Sequence, residues 1–253
     1  MSDTKNVVVT GGTSGIGLGI ARAFAAEGAA VTVLGRSKER GAEAVRGVEG
    51  LTFARCDVRD ADALTAALAP VGAIDVLVNA AAGNFPGPAA SLSPGGFRAV
   101  VDIDLVGTFQ ASRAAFASLR RPGALVLNIS APQAFVPTPL QAHACAAKAG
   151  VEMLTRCLAL EWGPLGVRVV GLVPGAVADT EGFRRLLGSP EAEGRLRETI
   201  PLRAFSSVDE VATTALWLAS GAAPSLTGTS LVLDGGLSLA GGMAYARALG
   251  AVP

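Results

Sequence analysis

Along the chain, short runs of β-branched and other apolar residues alternate with longer Ala-rich stretches whose apolar positions recur at helical spacing. The pattern predicts strands over 6–10, 30–34, 51–56, 74–79, 124–129, 167–173 and 229–233. It predicts helices over 15–27, 38–48, 60–68, 97–119, 140–162 and 208–219. Regular strand–helix alternation is the mark of successive βα units. The expected fold is therefore α/β: a single-domain Rossmann architecture, with a seven-stranded doubly wound parallel sheet and helices on both faces. Residues 176–201 interrupt the rhythm with Gly182, Gly188, Pro190 and clustered charges. An insertion near the ligand-binding edge of an open sheet reads as a substrate lid.

Composition narrows the function. At 253 residues the chain suits one such domain, and with 50% apolar and 17% charged residues it has ample core and little sign of disorder. Lys plus Arg and Asp plus Glu both total 21. With no net charge, no long-range field steers the chain to nucleic acid or anionic lipid, and neither nucleic acid nor membrane is an expected partner. No apolar run reaches the roughly 18 residues of a spanning helix, and the start lacks the pattern of a signal peptide; a cytoplasmic location is expected. Cys56, Cys145 and Cys157 lack metal or disulfide spacing and read as small buried thiols. With His143 the only histidine, no metal site is expected.

Candidate chemistry begins where the first strand enters the first helix, at Gly11, Thr13, Ser14, Gly15, Ile16 and Gly17. Glycines there let backbone approach a pyrophosphate, and the helix start offers free N–H groups with partial positive charge. The spacing, Gly-x3-Gly-x-Gly, differs from the commoner GxGxxG, so its place in the strand–helix pattern carries the weight. After the second strand, where an NAD-preferring fold has an acidic residue for the ribose, this chain has Arg36 and Ser37. Arg36 favours a 2′-phosphate, and hence NADP(H). Asp57, followed by Val58, either accepts from the adenine amino group or caps the next helix. Asn79, Ala80 and Ala81 end the fourth strand, beside the expected reversal of strand order.

These residues, with Asn128-Ile129-Ser130, Lys148, Glu161-Trp162-Gly163 and Pro174-Gly175, resemble the short-chain dehydrogenase/reductase family along nearly the whole chain. The resemblance implies that the Gly11 turn and Asp57 bind the dinucleotide. It also implies that Pro174, Gly175, Ala176 and Val177 lie by the nicotinamide and that Lys148 holds its ribose. The departures matter more. The family's tyrosine position holds Ala144, its serine position holds Ala131, and its fourth-helix asparagine is Asp104. The only tyrosine is Tyr245. An ordinary carbonyl reductase needs a phenolic proton donor beside the carbonyl oxygen, so this chain is not expected to reduce ketones.

One branch of the family without that phenol is the peroxisomal type of 2,4-dienoyl-CoA reductase. It is similar at Ala81-Ala82-Gly83-Asn84-Phe85, Asp102-Ile103-Asp104, Gln141-Ala142-His143-Ala144 and Thr180 through Arg185. That resemblance implies an acyl-CoA or related thioester substrate contacted by Arg59, Phe85, Ser93 and Arg185, hydride delivery from NADPH to C5, and protonation at the α carbon. The expected functional pair is Asp104, acting with a water as proton source, and Lys148. The other reading of Asp104 is a carboxylate that positions Lys148. His143, five residues before Lys148, stands roughly 140° away around the helix, which favours a substrate-contacting or structural role. The family also implies a homotetramer. Two alternatives keep the fold: a non-catalytic NADP-binding sensor or scaffold, and a reductase of another enone or enoyl thioester.

Overall fold

Seven parallel strands form one sheet: β1 (Asn6–Thr10), β2 (Ala30–Gly35), β3 (Leu51–Arg55), β4 (Val76–Asn79), β5 (Leu125–Ile129), β6 (Arg168–Pro174) and β7 (Ser230–Leu233). The computed structural model describes residues 4–241 except 188, so Gly188 and Tyr245 lie outside the described residues. The strand order is β3-β2-β1-β4-β5-β6-β7. The order of succession reverses between β1 and β4, which pair from Val7↔Val76 to Thr10↔Asn79. The crevice at their carboxyl ends is where open sheets of this kind bind ligands.

Alternate side chains of β1 feed two cores, as the period of a strand requires. Val7 and Val9 meet Ile20 and Phe24 of α1 (Gly15–Ala26) and Val211 and Leu218 of α9 (Val208–Ala219). On the other face Val8 joins Leu64 of α3 (Ala61–Leu68), Ala111 of α5 (Gly107–Ala115), and Leu158 and Trp162 of α6 (Ala142–Trp162). Helices start where a short polar side chain accepts a free first-turn N–H. Ser37 does so for α2 (Lys38–Val45), Asp60 for α3, Ser93 for α4 (Pro94–Val101), Ser189 for α8 (Pro190–Thr199) and Ser207 for α9.

Three expectations need correction. The single helix over 97–119 is α4, a wider π turn at Asp102–Val106, then α5 and a short 3-10 turn. In the π turn the Gly107 N–H donates to the Asp102 carbonyl, five residues back, and the Thr108 hydroxyl donates to the Asp104 carbonyl at 2.6 Å. Gly107 allows this path, because a Cβ there would lie 2.6 Å from Val58 Cγ2. Second, α6 starts at Ala142 rather than 140, because Leu140 takes φ +66° and cannot continue a right-handed helix. Third, the thiols are not alike. Cys56 is buried, and burial first, then Asp57 and Asp60, pushes it up to about 11, whereas Cys145 is half-buried and Cys157 exposed. The 176–201 insertion holds α7 (Glu181–Leu187) and α8. Among the described residues no helix is long and apolar enough to cross a membrane.

A buried polar chain ties sheet to helices beneath the crevice. Asn79 Nδ2 donates to Ser112 Oγ (3.0 Å) and Asn128 Oδ1 (2.9 Å), and Asn128 Nδ2 donates to Thr155 Oγ1 (2.9 Å). Asn128→Leu breaks two of these bonds without opening a cavity. It should destabilise the fold by about 3 kcal/mol, roughly 6–12 °C in Tm, in thermal denaturation followed by circular dichroism. A fall of under about 2 °C would show that the chain contributes little.

Candidate active site

The glycine turn forms the floor of the crevice. Gly11 has φ +65°, and a Cβ there would lie 2.7 Å from the Ala81 Cα; a Cβ at Gly17 would lie 2.6 Å from the Gly11 carbonyl oxygen. Any larger residue would push the turn off the 80–81 segment, whose N–H groups donate to Thr10 Oγ1 at 3.2 and 3.3 Å. Ser14, the N-cap of α1, makes no side-chain bond to it, so the first-turn N–H groups from Gly15 to Gly17 are left for an anion. Ile16 packs on the core, and Thr13 packs on Gly35, where a Cβ would lie 2.7 Å from Thr13 Cγ2. Above them lies a cleft of about 280 Å³ whose lining includes Ser14, Gly15, Arg22, Arg40, Thr180 and Arg184. Free helix-start amides, close-packed glycines and arginines together fit a phosphate-bearing dinucleotide.

Arg36 is exposed at the end of β2. Beside it, Ser37 accepts from the Arg40 N–H and donates to Glu39 at 2.8 Å. Asp57 is clasped by Arg59, with Nη2 2.6 Å from Oδ2 and Nε 3.0 Å from Oδ1. Those hydrogen bonds, more than any other influence, hold the Asp57 carboxyl below its usual range. The capping role left open for Asp57 belongs to Asp60, which accepts from the N–H groups of Asp62 and Ala63. Pro174 ends β6, and the Gly175 N–H donates to the Leu233 carbonyl at 2.8 Å. That bond draws Gly175 close to the end of β7, where a Cβ would lie 2.8 Å from the Asp234 Cα. The Ala176 carbonyl accepts the Ser206 N–H at 3.1 Å, and Val177 is buried in the core, so 174–177 crosses the carboxyl edge of the sheet as a strap.

Asp104 and Lys148 meet at the centre of the crevice. The π turn directs Asp104 inward until it is 2% exposed. Its Oδ1 accepts the Gly83 N–H at 2.7 Å, and its Oδ2 lies 3.3 Å from Lys148 Nζ. Lys148, also buried, donates to the Ile129 carbonyl at 3.0 Å. With both oxygens engaged by donors, Asp104 is placed to anchor the 80–83 loop and to aim Lys148. Ala144, where the family has tyrosine, is buried against Val100 and Ala147. His143 points elsewhere on α6, with its ring against Phe85.

Of the residues assigned to the substrate by resemblance, Phe85 and Ser93 lie side by side at Gly96, where a Cβ would be 3.2 Å from each, and Arg59 and Arg185 are engaged in ion pairs. Phe85 is exposed beside His143, Ser93 caps α4, and Arg59 pairs with Asp57. Arg185 pairs with Glu181 at 2.6 Å, while Glu181 also reaches Arg40 at 3.0 Å, so α7 is latched to α2 across the cleft. The Arg40 hydrogen bond is the main reason that the exposed Glu181 carboxyl titrates below its usual range. Sequence reasoning missed this latch and the Gly83 clamp. The i,i+4 spacing of Glu181 and Arg185 signals half of the first; nothing local signals the second.

Comparison with known proteins places this geometry in a family. The family model described as Enoyl-(Acyl carrier protein) reductase matches residues 11–238. A peroxisomal 2,4-dienoyl-CoA reductase of Rattus norvegicus is 42% identical over 243 residues, covering 92% of this chain and 83% of that protein. A 3beta-hydroxysteroid dehydrogenase of Eggerthella lenta is 37% identical over 255 residues, covering 96% and 97%. Among solved structures, a short chain dehydrogenase from Bacillus anthracis has a TM-score of 0.82 at 35% identity, covering 92% of this chain and 96% of that one. Actinorhodin polyketide ketoreductase with NADPH has a TM-score of 0.87 at 28% identity, covering 94% and 98%. The chain belongs to the short-chain dehydrogenase/reductase family and is an oxidoreductase.

Proposed function

We propose that the protein uses NADPH to reduce 2,4-dienoyl-CoA to 3-enoyl-CoA. The observation that carries this reading is the buried Asp104–Lys148 pair, 3.3 Å apart, with Lys148 on a helix whose tyrosine position is Ala144. Reduction of a ketone leaves an alkoxide that needs a proton donor of the phenol kind. Reduction across a conjugated thioester does not. Relatives named for the dienoyl-CoA reaction support the choice of substrate.

NADPH, when bound, supplies the hydride. Arg36 and the cleft arginines would hold its phosphates, and Lys148 would hold the nicotinamide ribose. Addition at C5 moves negative charge through the conjugated system onto the thioester oxygen, giving a dienolate that nearby hydrogen-bond donors stabilise. Asp104 keeps Lys148 in place and orients a water that protonates the α carbon. A hydride at C5 and a proton at the α carbon balance the loss of one double bond and the shift of the other.

The test mixes purified protein and NADPH with 2,4-hexadienoyl-CoA, and in parallel with a 3-ketoacyl-CoA. Equal loss of cofactor and dienoyl absorbance with the first alone is the expected result; reduction of the ketone alone would overturn the reading. Asp104→Asn, which keeps the side chain's size, should lower kcat by about 100-fold or more with little change in the Kd for NADPH. Unchanged turnover would remove Asp104 from the mechanism. Arg36→Ala should weaken NADPH about 10- to 100-fold in a fluorescence titration, with a much smaller effect on NADH; equal losses for both would show that Arg36 does not meet the 2′-phosphate.

The assembly we propose is a homotetramer through the α5 and α6 faces, where Phe109, Met153 and Leu160 leave apolar surface exposed. Sedimentation should give the mass of four chains, and Leu160→Asp should give smaller species. A monomeric wild-type protein would contradict this assembly.

A further inference from the structure

Two polar atoms near Phe85 are buried and find no partner among the described residues: Nε2 of His143 and Oδ1 of Asn84. His143 is fully buried in the first turn of α6, and its ring meets that of Phe85 edge-on, centroids 4.7 Å apart. Its Nδ1 accepts the Ala144 N–H at 2.9 Å, one of the first-turn donors that a helix leaves free. An accepting Nδ1 carries no hydrogen, so the ring hydrogen sits on Nε2 and makes that atom a donor. Asn84 donates through Nδ2 to Gln141 Oε1 at 2.9 Å, an oxygen that Gln133 also engages at 3.1 Å. That bond fixes the Asn84 amide and leaves Oδ1 as an acceptor with nothing to accept. The donor therefore lies on the residue packed against the Phe85 ring, and the acceptor on the residue that precedes Phe85 in the chain.

Their place along the crevice gives them meaning. The segment after β4 touches the glycine turn at Ala81, donates to Asp104 at Gly83, and reaches His143 at Phe85. A substrate arm leaving the reacting centre along this segment meets Asn84 and His143 next. A secondary amide is the complement of this pair, since its carbonyl accepts and its N–H donates. We infer that His143 Nε2 and Asn84 Oδ1 bind the first amide of a pantetheine arm, with Phe85 turning aside to admit it. The inference rests on the thioester reading above and says where the arm of that substrate lies. Coenzyme A and acyl carrier protein share this arm.

The test compares two small thioesters at saturating NADPH: 2,4-hexadienoyl N-acetylcysteamine, which has the amide, and S-propyl 2,4-hexadienethioate, which lacks it. Wild-type protein should favour the first in kcat/KM by about tenfold or more. His143→Phe keeps a ring against Phe85 and removes the donor; it should level the two thioesters. His143→Gln, which restores an N–H, should recover part of the preference. His143→Phe also removes the acceptor of the Ala144 N–H, so Tm should fall modestly, by what one lost hydrogen bond costs. A histidine that acts only through the fold would slow both thioesters alike and leave the preference intact, overturning the inference. His143→Phe should also raise KM for whichever carrier the wild-type protein uses, hexadienoyl-CoA or hexadienoyl-acyl carrier protein. A preference that persists in His143→Phe overturns the amide site and leaves the reductase reading standing. A wild-type protein that reduces none of these thioesters overturns both.

Discussion

Two opposite charges buried 3.3 Å apart constrain the surrounding structure, because either one left alone in that environment would cost several kcal/mol. Asp104 can be buried only because the π turn rotates it inward and because the Gly83 N–H takes its second oxygen. Lys148 can be buried only because Asp104 and the Ile129 carbonyl receive its ammonium. The pair thereby joins the loop after β4, the break between α4 and α5, the end of β5 and the start of α6. The first of these segments also packs on the glycine turn, where a Cβ at Gly11 would lie 2.7 Å from the Ala81 Cα.

That arrangement accounts for how the site tolerates the loss of a tyrosine. In place of the phenol, Ala144 packs as a small apolar residue against Val100 and Ala147, and its side chain offers no donor at that point of the helix. The lysine that a phenol would otherwise accompany is held by a carboxylate instead. In the reaction proposed for this site, charge is delocalised through a conjugated acyl group and the proton arrives through water. A ketone makes a different demand, a localised alkoxide, which this site is poorly equipped to meet.

Much of the fold was legible because β-branched runs and amphipathic stretches have different periods. The strands at 6–10 and 230–233 and the helix at 208–219 fall within a residue of expectation. The glycine turn was legible because close backbone contact leaves room for no other residue at Gly11 or Gly17. The π turn was not. Helical periodicity does not reveal one extra residue in a turn, and the contact that accommodates it, Val58 on Gly107, joins distant parts of the chain. The positive φ of Leu140 was hidden for a similar reason, since nothing in its local sequence calls for it. Arg59 and Arg185 were read from a resemblance; the carboxylates they pair with, Asp57 and Glu181, stand two and four residues away, a spacing the sequence already shows.

In the proposed reaction, hydride goes to the far end of a conjugated thioester and a solvent proton to its α carbon. Turnover of 2,4-hexadienoyl-CoA with NADPH deuterated on the transferred position, and separately with unlabelled NADPH in D2O, tests it by NMR of the product. The expected product carries cofactor deuterium at C5, solvent deuterium at the α carbon and a double bond between C3 and C4. Cofactor deuterium at C3 or at the carbonyl carbon would contradict the proposed reaction.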